Sequence, residues 1–176
     1  MARVSREAPA IKLISGGQTG ADRAALDVAL KLKIPAGGWC PADRRAEDGT
    51  ISDSYPLKPL ANAGYRQRTR WNVADSDGTV IIAFGKLTGG SAETARCAKQ
   101  LKKPCLVIDA GKIDTTEAAI FLAVFILRHR VHTLNVAGPR ASKQRGIYAY
   151  VTEVLVKLLA TKKRNRSSPM ASKGKR

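Results

Sequence analysis

Apolar and polar positions change rhythm several times along this chain. Ile11-Lys-Leu-Ile14 is a short apolar stretch of strand length. From Ala21 to Lys33 the spacing becomes helical. Ala24, Ala25, Val28, Ala29 and Leu32 fall on one stripe, Asp22 sits in the first turn, and Pro35 ends the run. Gly37 to Cys40 reads as a weak second strand. Residues 42–64 are polar and rich in Pro, Asp and Gly, which predicts a long irregular loop of the kind that often carries function. Arg66 to Ala74 predicts a helix, and Asp75-Ser-Asp-Gly78 has turn chemistry.

Thr79–Phe84 and Cys105–Ile108 are unbroken apolar runs, as expected of strands buried on both faces in a parallel sheet. His132–Val136 is the last strand. Further helices are expected over Ser91–Lys102 and from a Thr115 or Thr116 cap to about His129. A last one covers Ile147–Leu159, with Val151, Val154, Leu155 and Leu158 on one face. Strand followed by helix, repeated, predicts an α/β fold. Its parallel sheet has five to six strands and helices on both faces, in one domain over residues 1–161. Ligands of such sheets sit beyond the carboxyl ends of the strands.

The longest apolar run, Ala118–Leu127, falls well short of the roughly 20 residues that cross a membrane, so a buried helix and no membrane partner are expected. Met1–Ala10 has charges but no apolar signal-peptide core. Three scattered cysteines, Cys40, Cys97 and Cys105, form neither a disulfide framework nor a zinc spacing. A cytoplasmic location is the simplest expectation, with no metal site and an assembly of copies left open.

Charge changes the picture. The net charge is +17 over 176 residues. Seven of the 31 basic residues and none of the 14 acidic ones fall in 162–176, which leaves the remainder at +10. A basic body points to anionic small molecules or nucleic acid. Residues 162–176 have no apolar periodicity and read as a disordered basic tail, either solubilising or a contact for nucleic acid or a membrane surface.

Four loops leave strand ends with chemistry in them. The first is Gly16-Gly17-Gln18-Thr19-Gly20, followed by Asp22 and Arg23 in the opening helical turn. Its glycines let backbone N–H groups approach an anion, and the helix dipole adds to the attraction. It is neither GxGxxG nor a P-loop. The second is Thr88-Gly89-Gly90-Ser91, with Ser91 a natural N-cap. The third is Gly138-Pro139-Arg140, where Arg140 can hold a carboxylate or phosphate bidentately or belong with Lys143 and Arg145 to a solvated loop. The fourth holds Trp39, which either stacks on a ring or packs in the core, beside Cys40, which reads as packing. Arg66, Arg68 and Arg70 face different ways on a helix, so they cannot all enter one pocket; they read as a solvated face from which one arginine reaches the site. His129 and His132 have no assigned role.

Taken together, ISGGQTGADRAALDVAL (14–30), GGWCPADRRAEDG (37–49), TRWNVADSDGT (69–79), LTGGSAETA (87–95) and LNVAGPRASKQRGIY (134–148) resemble the molybdenum cofactor carrier-like family. That family is similar to LOG- and DprA-type proteins. The resemblance spans about Ile11 to Leu159. It implies a Rossmann-like fold and a ligand at the two glycine loops, either molybdenum cofactor (molybdopterin) or a nucleotide. A carrier is thus the leading expectation. The LOG-type alternative is a nucleoside monophosphate phosphoribohydrolase, whose loop reads PGGxGTxxE. Counted from Gly89-Gly90, Glu93 stands at the threonine place and Arg96 at the glutamate place, so the expected catalytic carboxylate is missing and only Glu93 or Asp22 is left for that role. The DprA-type alternative is nucleic-acid binding.

Overall fold

The computed structural model describes residues 11–61 and 64–164. In chain order the elements are β1 (Lys12–Ile14), α1 (Ala21–Lys31), β2 (Ala36–Gly37), β3 (Trp39–Pro41), β4 (Arg45–Ala46) and β5 (Gly49–Thr50). They continue with β6 (Lys58–Leu60), α2 (Tyr65–Ala74), β7 (Gly78–Ala83), α3 (Gly89–Gln100), β8 (Cys105–Asp109), α4 (Thr115–His129), β9 (Thr133–Ala137) and α5 (Ile147–Arg164). Five strands form an all-parallel sheet in the order β2-β1-β9-β7-β8. The α/β expectation with a five-strand sheet holds.

Strand alternation divides the core. Leu13, Val80, Ile82, Ile108, Leu134 and Val136 point to one face, where α1, α4 and α5 cover them with Ala25, Leu122, Leu155 and their neighbours. Fully burying one such aliphatic side chain stabilises by roughly 1.5–3 kcal/mol. The opposite face holds Thr79 and Asn135, and α2 and α3 pack together over a small cluster of Val73, Cys97 and Ala98.

The crossover through α1 carries the chain from β1 outward to β2. The crossover through α3 carries it from β7 outward the other way, to β8. The two diverge on either side of β9, which makes the carboxyl end of β9 the switch point of the sheet, where such folds open a crevice.

Several expectations change. The segment 42–64 contains three short strands: β6 pairs with β3, and β4 with β5. Arg44 pins its turns, donating to the carbonyls of Ile51, Ser52, Tyr55 and Leu57. β8 is an edge strand, so Cys105 and Val107 are exposed while Ile108 faces the core. Asp114, not a threonine, caps α4 by accepting from the amides of Thr116 at 2.7 Å and Glu117 at 2.9 Å. The apolar run in α4 is buried on one side only, the side that packs on α5, β7 and β8. Residues 162–164 continue α5, and 165–176 of the expected tail lie outside the described residues. No helix among the described residues is long and apolar enough to cross a membrane.

Candidate functional site

A cavity of about 740 Å³ opens at the carboxyl end of β9. Its floor is the strand end Asn135–Arg140. One wall is the start of α3, from Thr88 to Arg96. Gly16, Gln18 and Asp22 form a second wall, and α2 supplies Tyr65, Arg66, Arg68, Thr69 and Asn72. Lys143 stands at the rim. The volume lies in the range of small-molecule sites, about 300–1,000 Å³.

The α3 wall is an open helix N-terminus. Thr88 occupies the cap position but its side chain makes no capping bond, and among the described residues no side-chain acceptor reaches the amides of Gly89, Gly90 or Ser91. The start of a helix carries about half a positive charge. A Cβ at Gly89 or Gly90 would meet nothing within 4 Å, so both glycines border open space. Ser91, expected as the cap, lies instead inside the first turn and is buried against the cavity.

The first glycine loop is closed by its own residues. Gly17 N–H donates to Ser15 Oγ at 3.3 Å, Gln18 N–H to Asp22 Oδ2 at 3.3 Å, and Thr19 N–H to Gln18 Oε1 at 3.1 Å. Ala21 N–H donates to the Pro139 carbonyl at 3.3 Å. The buried Asp22 carboxylate thus stands where an external anion would stand. Arg68 Nη1 lies 3.7 Å from it and donates to the Gly16 carbonyl at 3.0 Å. Burial pushes the Asp22 carboxyl above its ordinary pKa, opposed by the Arg68 charge, by the amides of Gln18 and Gly16, and by Arg23.

Arg140 and Arg68 both lie over the Tyr65 ring, at 5.5 Å and 5.7 Å. Arg66, Arg96 and Lys143 add positive charge to the cavity wall. Glu93 also lines it but is ion-paired with Arg96 and accepts a 3.8 Å contact from Cys97 Sγ.

The profile of the "Circularly permutated YpsA SLOG family" matches residues 13–159. The chain belongs to this SLOG family. A crystal structure at 1.45 Å resolution of the "Putative molybdenum carrier protein" from Syntrophus aciditrophicus SB is similar at 50% identity with a TM-score of 0.84. The match covers 86% of this chain and 96% of that one. No curated protein matches.

In this SLOG protein the cavity gathers Gly16, Gln18, Asp22, Thr88, Gly89, Gly90, Ser91, Glu93 and Arg140 from the expected residues. Gly17, Thr19, Gly20, Arg23 and Trp39 lie outside its wall. Thr19 points away, donating to Glu47 and accepting from the Ala141 amide at 3.1 Å. Arg23 is tied to Asp48 at 3.2 Å and to the Gly17 carbonyl. Gly20 and Gly17 serve the turn itself: Gly20 has φ +76° and approaches the Pro139 carbonyl so closely that a Cβ would lie 2.4 Å from it. Trp39 packs on Trp71 at 5.5 Å and donates Nε1–H to Asp75 at 2.7 Å, beside a separate, smaller cavity.

The α2 residues Tyr65, Thr69 and Asn72, and Asn135 on β9, were not singled out from the sequence. Both Arg66 and Arg68 line the cavity, where one arginine was expected. Asn135 had a legible signal, a polar residue inside the apolar strand Leu134–Ala137. Its side chain donates to Thr79 Oγ1 at 3.2 Å within the buried sheet.

Proposed function

We propose that this protein binds a phosphate-bearing, nucleotide-like ligand, with the phosphate on the amides of Gly89, Gly90 and Ser91. The carrying observation is the uncapped start of α3 facing a cavity lined by five cationic side chains. Backbone amides and the helix dipole favour an anion there, and Arg140 supplies a guanidinium for its oxygens. The polar floor at Asn135 and the Tyr65 ring suit a heterocycle. Membership of the SLOG family supports a nucleotide-like ligand, and the relative's name supports a carrier role.

Molybdenum cofactor belongs to the same chemical class, a flat pterin with a phosphate. The start of α3 would take its phosphate, and the wall beside Tyr65 its ring. Among the described residues no group of His, Cys, Asp and Glu is placed to hold a metal ion, so a carried metal would arrive held by its organic cofactor. Mass spectrometry and metal analysis of the supernatant from denatured protein identify what co-purifies. Calorimetry with AMP-type nucleotides then gives the affinity. If the tightest ligand found binds Gly90→Asp as well as wild type, the α3 site is refuted.

A second reading is hydrolysis of a nucleoside monophosphate. Asp22 and Glu93 both line the cavity, and they are the carboxyl groups in its wall available for general acid chemistry. Incubation with AMP and chromatography for free base tests it, and release no faster than the blank rejects it.

A further inference from the structure

α4 is apolar around most of its circumference. Ala118, Ala119, Leu122, Phe125 and Ile126 face the core, yet Ile120 is 58% exposed, Phe121 45%, Val124 57% and Leu127 77%. A helix apolar on both sides is normally covered on both sides, and a contiguous exposed apolar stripe marks an interaction surface.

The outer stripe has a charge at each end. Glu117, Phe121, Val124 and Arg128 follow one another at i, i+4, i+7 and i+11, in a line along the exposed face, with Ile120 and Leu127 beside it. The line is self-complementary. Laid antiparallel on a copy of itself about a twofold axis between residues 122 and 123, Phe121 meets Val124 and Glu117 meets Arg128, twice over. A twofold interface must be complementary to itself in this way.

The two end segments of this sequence that lie outside the described residues are poor covers. Residues 1–10 offer Met1 and Val4 as large apolar side chains, and 165–176 offer only Met170. Four large side chains need a matching apolar surface, and a second α4 provides it.

We propose that α4 is the contact face of a homodimer, formed by antiparallel packing of two α4 helices with Glu117 of each copy against Arg128 of the other. The ligand cavity, at the carboxyl end of β9, takes no part in this contact.

Sedimentation equilibrium of the full chain tests the proposal. Wild type is expected to be a dimer. Leu127→Glu is expected to be a monomer with unchanged circular dichroism and melting. Glu117→Arg and Arg128→Glu, each placing like charges together, should weaken the dimer about tenfold or more. Glu117→Arg combined with Arg128→Glu should restore it. A monomeric wild type, a Leu127→Glu variant that stays dimeric, or a charge-swapped double variant as weak as the single ones would overturn the assignment. Deleting residues 1–10 or 165–176 should leave the dimer intact; its loss would place one of those segments in the interface instead.

Discussion

Arg68 holds its guanidinium 3.7 Å from the buried carboxylate of Asp22, lying across Gly16, where a Cβ would be 2.2 Å from Arg68 Nη1. The glycine is what lets the arginine reach the carboxylate. The pair closes the first glycine loop and leaves the second open.

This pair has a pH signature. Burial raises the folded-state pKa of Asp22 above 3.8, so the folded state holds that proton more tightly than the unfolded chain. The stability so contributed is full below pH 3.8 and is lost as pH rises through the raised value. Relative to Asp22→Asn, wild type should lose stability over that window and run parallel above it. Arg68→Met removes the main group opposing burial. It should extend the decline to higher pH and cost about 3 kcal/mol near neutrality. Urea titrations from pH 4 to 8 measure both effects, and parallel wild-type and Asp22→Asn curves throughout would refute the coupling.

Gly90→Asp should separate binding from folding. The new Cβ enters open space, and an acidic residue in the first turn favours the helix by about 0.3–1 kcal/mol. Melting should hold or rise. Affinity for a phosphate-bearing ligand should fall by more than about tenfold, equivalent to about 1.4 kcal/mol.

Gly20→Ala should do the reverse, because φ is +76° and the Pro139 carbonyl blocks the side chain. A cost of about 1–3 kcal/mol is expected in denaturant melts. A variant as stable as wild type would contradict the close approach.

Asn135 and Thr79 should couple. Asn135→Ala leaves a buried hydroxyl without its partner, at a cost of about 1–3 kcal/mol. Thr79→Val in that background should cost less than Thr79→Val alone. A double-mutant cycle with strictly additive effects would show that the bond contributes nothing.

Glu47 ties three segments by accepting from Thr19 Oγ1, Ser142 Oγ and the Ser142 amide. The Ser142 and Thr19 hydroxyls hold its pKa below 4.5. Its contribution is therefore present above pH 4.5 and lost as pH falls through the lowered value. Glu47→Gln should speed hydrogen exchange at the Ser142 amide near neutral pH. Unchanged protection would remove Glu47 from the clamp.

The sequence by itself determined the order of the five sheet strands and the five helices, though not β3 to β6, because hydrophobic period is local: two-residue alternation or apolar runs for strands, and a stripe such as Ala25–Val28–Ala29 for α1. It also located the glycine loops, since paired glycines between a strand and a helix are visible without a fold. It did not show which loop is open. That depended on Asp22 folding back onto the amides of Gly16 and Gln18, and on Arg68 arriving from α2, 46 positions along the chain. Nor did it show that β8 lies at an edge, which leaves Val107 exposed, or which side of α4 packs on α5, β7 and β8 and which stays outside. An amide has a fixed capacity for hydrogen bonds and a helix has two sides. The sequence supplies both, but only the packing of distant segments decides which amides and which side remain for a partner.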